Sequence, residues 1–144
     1  MLSKVEDAPM ETDLSFEAET DGVLVRVSPQ FVDEESSPER NHYVWAYHVE
    51  IENHGSRTLK LETRRWCITD RDGRVQDVEG PGVVGQHPVL EPGDRFEYTS
   101  GAPLAAPSGL MYGAYSLSDE NGDIHDVQIP MFNLDSPYDL RRPS

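Results

Sequence analysis

The chain has 144 residues, a formal net charge of −15 and a single cysteine, Cys67. That length fits one domain able to hold a core without metals, the lone thiol excludes an internal disulfide, and no stretch approaches the roughly 20 apolar residues of a spanning helix. The charge opposes nucleic acid and anionic membranes, whose affinity comes from Lys and Arg neutralising phosphates; with Lys4 and Lys60 the only lysines, such acidity would suit a salty cytoplasm that screens the repulsion.

Residues 1–21 carry Glu6, Asp7, Glu11, Asp13, Glu17, Glu19 and Asp21 against Lys4 alone. So few large apolar residues do not offset the entropy of ordering, so the segment is expected to be a flexible acidic extension, with order beginning near Gly22. It also lacks the basic region and apolar core of a secretion signal, which leads to a cytoplasmic expectation. From there the dominant period is two, the mark of half-buried strands. Val23, Val25 and Val27 alternate with Leu24 and Arg26, and Tyr43, Trp45, Tyr47, Val49 and Ile51 alternate with Val44, Ala46, His48, Glu50 and Glu52. Further short strands follow at Leu59–Leu61, Trp66–Ile68, Val75–Val78 and Phe96–Tyr98, and over 110–117 and 124–132. Asp72-Gly73 and Asn121-Gly122 tolerate the positive φ of tight hairpins. Residues 137–144 are expected to be a tail.

This pattern predicts an all-β domain over 22–136, an antiparallel two-sheet sandwich of the immunoglobulin or fibronectin type III kind, with a closed barrel as the competing architecture. The expected core includes Val25, Trp45, Tyr47, Val49, Ile51, Leu61, Trp66, Ile68, Phe96, Tyr115, Ile124, Val127 and Ile129.

Gly80-Pro81-Gly82-Val83-Val84-Gly85 matches the G-x-G-x-x-G pattern of dinucleotide sites. That motif works only where a helix follows and receives the pyrophosphate at its N-terminus. Gln86-His87-Pro88-Val89-Leu90-Glu91-Pro92-Gly93 cannot be that helix, because the two prolines remove donors and bias their neighbours toward extended backbone. The glycines are therefore placed in a loop between strands.

Several separated phrases resemble the ApaG family: Ser36-Ser37-Pro38, Tyr43-Val44-Trp45-Ala46-Tyr47, Trp66-Cys67-Ile68-Thr69-Asp70, the Gly80–Gly85 run with Pro88 and Pro92-Gly93, Tyr98-Thr99-Ser100-Gly101, Gly109-Leu110-Met111-Tyr112-Gly113-Ala114-Tyr115 and Ile129-Pro130-Met131-Phe132-Asn133-Leu134. The resemblance covers about residues 22–136. It implies the same β-sandwich, an association with cobalt resistance and magnesium efflux in bacterial members, and protein-binding roles for similar domains in eukaryotic F-box and polymerase-interacting proteins. It brings no catalytic residues.

Long ordered loops are more often functional than average, so Gly80, Gly82, Val83, Val84, Gly85 and His87 form the leading candidate surface for a partner protein. Successive amides there could alternatively form a nest for phosphate or another small anion, although no Lys or Arg assists and Glu79 and Glu91 flank the segment. A weaker candidate is a divalent-cation site at His48, Glu50 and Glu52, neighbouring members of which lie about 6–7 Å apart along one strand face. Two of these could ligate one ion, and another strand must supply a third ligand. Cys67 and Ser100 lack the context of a nucleophile, and no G-x-S-x-G, H-E-x-x-H or phosphate loop occurs. Cys67 is expected to pack as a small apolar residue, Ser100 to serve a strand end, Tyr43 to sit at an exposed strand start, and at least one of Met111 and Tyr112 to lean away from the core. The expectation is a non-enzymatic protein-binding module without a cofactor, with pairing of two copies through sheet edges as an open alternative.

Overall fold

The computed structural model describes residues 14–139. Nine strands follow one another: β1 (Phe16–Thr20), β2 (Val23–Phe31), β3 (Tyr43–Asn53), β4 (Leu59–Asp70), β5 (Val75–Pro81), β6 (Val89–Leu90), β7 (Arg95–Leu104), β8 (Gly109–Ser118) and β9 (Ile124–Leu134). They form two antiparallel sheets, one ordered β1-β2-β3-β7 and the other β9-β8-β4-β5, with β6 also on β4. The sandwich predicted from period-two alternation is thus the observed architecture. Its longest legible strand, β3, buries every odd-numbered residue from Tyr43 to Asn53.

Burial on the facing sides of the sheets is the main source of stability. Trp45, Val49 and Ile51 of β3 meet Leu61, Met111, Tyr115, Leu117, Val127, Phe132 and Leu134 from the opposite sheet, all nearly inaccessible to solvent. Trp66 centres an aromatic cluster, its ring 5.2 Å from Tyr47, 6.0 Å from Phe132 and 6.5 Å from Tyr115. Edge-to-face packing of this kind adds about 0.5–1.5 kcal/mol per pair beyond area burial. The Tyr98 and Tyr115 hydroxyls hydrogen-bond each other inside the core, and burial raises both phenol pKa values.

Ile124 is corrected from the expected core: it is 59% exposed. It opens β9 opposite Ser118, and its even position faces away from the side on which Val127 and Ile129 are buried. Phe96 is only partly buried and packs against the cluster. Tyr43, expected at an exposed strand start, is buried beside Tyr138, with ring centroids 6.2 Å apart. Tyr138 itself, assigned to the tail, also stacks on Phe31 at 5.9 Å and donates its hydroxyl to Asp33 Oδ1 at 2.9 Å.

Regular structure likewise begins before Gly22, where it was expected. Phe16–Thr20 pairs with Val23–Val27 through a turn at Asp21-Gly22, because Phe16, Ala18 and Thr20 alternate with Glu17 and Glu19, leaving the acids outward. Phe16 packs on Phe132, and the Gln128 amide donates to Thr20 Oγ1 at 3.1 Å. β1 therefore closes one side of the sandwich against β9. The remaining acidic residues of that extension before Leu14, and residues 140–144 of the tail, lie outside the described residues. Among the described residues, no helix is long and apolar enough to cross a membrane.

Candidate functional site

The glycine-rich segment is built along the edge of β4, and Gly80, expected in the loop, is instead a paired residue of β5 opposite Arg64 because the ladder runs on to Pro81. β5 pairs with Thr63–Thr69, and β6 pairs with Leu59 and Lys60 on the same side of that strand. The chain between them must leave the edge and return to it. Gly82 makes the departure: its φ is +61°, its amide donates to Glu62 O at 2.9 Å, and a Cβ there would stand 2.3 Å from Gln86 O. Only glycine fits that approach. Val83 then plunges into the core with no exposed surface.

Val84 and Gly85 form a two-residue hairpin tip. Val83 and Gln86 exchange N–H···O bonds of 2.9 and 2.8 Å, and the tip residues have φ of +43° and +78°. Positive φ at both centres is the type I′ geometry, which favours Asn-Gly or Gly-Gly. Here the first position holds a β-branched residue, for which the left-handed region is a genuine outlier. The residue is also 51% exposed.

The return is anchored firmly. His87 Nδ1 meets Leu61 O at 3.0 Å, which makes that nitrogen the donor, and the Leu61 amide donates to Pro88 O at 2.9 Å. The buried Asn53 side-chain amide donates to Leu90 O at 2.9 Å and to Arg57 O at 2.7 Å, while its backbone carbonyl accepts the Gly93 amide at 2.7 Å. His87 thus holds the loop to β4 through one ring nitrogen. The amides that an anion nest would draw on at Gly82 and Val83 are donated to carbonyls of Glu62 and Gln86.

β5, which runs into this loop, has no buried residue and is exposed at every position but Gly80. It is the outer strand of its sheet. Beside its first half, Ile68, Arg74, Gln76, Pro103, Leu104 and Ala105 help line a cavity of about 390 Å³ where the two sheets part. The sandwich, closed by β1 against β9, is open here. On the outer face Val75, Leu110, Tyr112 and Met131 are exposed. Met111 is buried beneath them, so the pair divides across the sheet as alternation requires. Cys67, expected to pack as a small apolar residue, lies on the outer face opposite Tyr112 and Asp77, half-buried. The reason is its odd position beside inward-facing Trp66 and Ile68. Hydrogen bonding with Cys67 raises the Tyr112 phenol pKa, and the nearby Asp77 charge adds to the effect.

The other candidate lies on the outer face of the opposite sheet. The donor atoms of His48, Glu50 and Glu97 fall within 4.8 Å of one another. His48 Nε2 is 2.9 Å from Glu97 and 4.0 Å from Glu50, and Nδ1 meets Thr99 Oγ1 at 2.8 Å. Glu52, the third residue expected in this set, is engaged elsewhere. It contacts His54 at 2.8 Å and Arg26 at 3.4 Å, and the His54 bond is the leading cause of its lowered pKa. Glu97 takes its place because β7 pairs with β3 in a register that sets Glu97 opposite Glu50 and Thr99 opposite His48. Alternation with Phe96 and Tyr98 marked Glu97 as outward-facing, but the register joining the strands was not in the local pattern. Both carboxylates already face cations: Glu50 bonds Arg26 at 2.6 Å and Glu97 bonds Arg95 at 3.0 Å. Ser100, assigned to a strand end, lies mid-strand opposite Tyr47, since β7 extends to Leu104.

The fold and its ordered glycine hairpin define a small two-sheet β-sandwich. The ApaG domain model matches residues 33–119, and the chain belongs to the ApaG family. It is 56% identical to Protein ApaG of Paramagnetospirillum magneticum over 85% of this chain and 95% of that one, and 52% identical to Protein ApaG of Rhodospirillum centenum over 87% and 96%. A crystal structure from Bordetella pertussis, titled as an ApaA protein, is 46% identical, covers 85% of this chain and 98% of its own, and superposes with a TM-score of 0.78.

Proposed function

We propose that the chain is a non-enzymatic protein-binding module whose contact surface is the border formed by β5 and the Gly80–Gly93 loop. Val84 carries this reading. An apolar, β-branched residue in a left-handed conformation, half in water, weakens folding twice, and features of that kind are retained where a site needs them. Exposed Val84 and Val89 flank the anchored His87 on the same border. The test is affinity capture from the source cell with wild type and Val84→Asn. Asn suits the turn better than Val, so loss of a partner cannot be ascribed to unfolding; identical partner sets overturn the role of the hairpin tip.

A second reading, divalent-cation binding, is favoured by the arrival of Glu97 beside His48 and Glu50. An entering ion would compete with Arg26 and Arg95 for both carboxylates. Isothermal titration with cobalt and zinc decides it: equal heats for wild type and His48→Ala reject the site.

A further inference from the structure

The unpaired side of β5 has a definite chemistry. The Asp70 amide bonds Arg74 O at 3.0 Å to close the β4–β5 hairpin, and in an antiparallel ladder bonded and non-bonded pairs alternate from there. With Thr69 opposite Val75, Cys67 opposite Asp77 and Arg65 opposite Glu79, these three β5 residues fall in the non-bonded pairs. Their N–H and C=O groups point away from β4. Pro81 falls in the same set opposite Thr63, where its missing N–H disturbs no ladder bond, as expected of proline in an edge strand.

Asp77 and Glu79, two of the three outward-bonding residues, make no ion pair among the described residues. On the opposite sheet Glu17, Glu50, Glu52 and Glu97 contact Arg or His, whereas Glu62 of β4 and Asp126 of β9 are met by the hydroxyls of Ser118 and Ser116. Pairing with a second copy sets acid against acid: one symmetric register places Asp77 opposite itself, and the next places it opposite Glu79. Like charges directly opposite are destabilising. On the edge strand β7 of the opposite sheet, Glu97 is already bonded by Arg95 and His48.

From this edge we infer that β5 receives an extended segment of another protein, added as an antiparallel strand and carrying the alternation basic–apolar–basic–apolar. Running opposite Glu79, Val78, Asp77 and Gln76 in that order, its basic residues lie beside the two carboxylates on the outer face. Its apolar residues face inward, the second of them beside Gln76 at the 390 Å³ cavity. Main-chain bonds supply affinity and the alternate side chains supply selectivity, as in other strand additions. The added strand would close the open side of the sandwich as β1 closes the other. This inference rests on the protein-binding reading and names the chemistry of the partner.

The test is an NMR titration of the full chain with an acetylated, amidated peptide Ser-Arg-Val-Arg-Val-Ser, and with Ser-Glu-Val-Glu-Val-Ser as control. The basic peptide is expected to shift the amides of Val75, Asp77 and Glu79 and to weaken as salt screens the charges. Asp77→Lys/Glu79→Lys is expected to weaken it at least about tenfold and to gain binding of the acidic peptide. Shifts confined to other strands, no shift up to millimolar peptide, or unchanged affinity in the double variant would each overturn the inference. Partners captured through Val84 but retained by the double variant would leave the protein-binding reading standing and remove the β5 edge alone.

Discussion

Replacing Val84 by Asn is expected to stabilise the protein, an unusual outcome for an apolar-to-polar change. The left-handed conformation costs an L-residue about 1–2 kcal/mol, and Val84 bears it at φ +43°. Asn escapes most of that cost because its short polar side chain bonds the local backbone. Against this stands lost burial. With 51% of Val84 exposed, the change forfeits roughly half of the ~1.5 kcal/mol available from burying a valine. The balance favours the variant by about 0.5–1 kcal/mol, a melting temperature about 2–3 °C higher for a chain of this size. Urea and thermal unfolding followed by circular dichroism measure it directly. A loss of more than about 0.5 kcal/mol would show that Val84 serves packing, and the argument for a contact residue would fail.

Gly82→Ala should be costly, at least about 2 kcal/mol, because the new Cβ overlaps Gln86 O in a backbone that resists displacement; a neutral result in the same unfolding assay would contradict the hairpin geometry. Tyr98→Phe leaves the buried Tyr115 hydroxyl without its partner and should cost about 1–3 kcal/mol, with the Tyr98→Phe/Tyr115→Phe double variant recovering part of the loss. Additive losses would contradict the bond. Asp70 is nearly buried, which raises its pKa, yet bonds from the Arg74 backbone and side chain and from the Asp72 amide bring it below the ordinary carboxylate value. A depressed folded pKa contributes stability that is present above the unfolded value of about 3.9 and is lost as pH falls through the folded pKa. Asp70→Asn should therefore be less stable at pH 7 by about 1–3 kcal/mol, with the gap to wild type closing in acid below about pH 4; a gap independent of pH would refute the linkage.

What the sequence made legible was whatever depended on period two within one strand. Alternation in β3 placed Trp45, Tyr47, Val49 and Ile51 in the core and His48, Glu50 and Glu52 outside, and the structure agrees residue by residue. The phrase following Gly85 excluded a helix, and the short strand β6 stands there. Properties created by pairing were not legible. Glu97 joins His48 only through the β3–β7 register, and the ordering of Phe16–Thr20 depends on packing against distant Phe132. Ile124 was misplaced because apolarity was read without its parity relative to Val127. The solvent-exposed edge of β5 required the sheet order itself, since a strand in the interior of a sheet could carry the same Val75–Val78 run.

Amide hydrogen exchange on the full chain, alone and in complex with the partner it captures, tests the contact border most directly. The account predicts new protection over residues 75–81 and at Val83 to Gln86. Protection confined to the His48–Glu97 face of the opposite sheet, with β5 exchanging as fast as in the free protein, would contradict it.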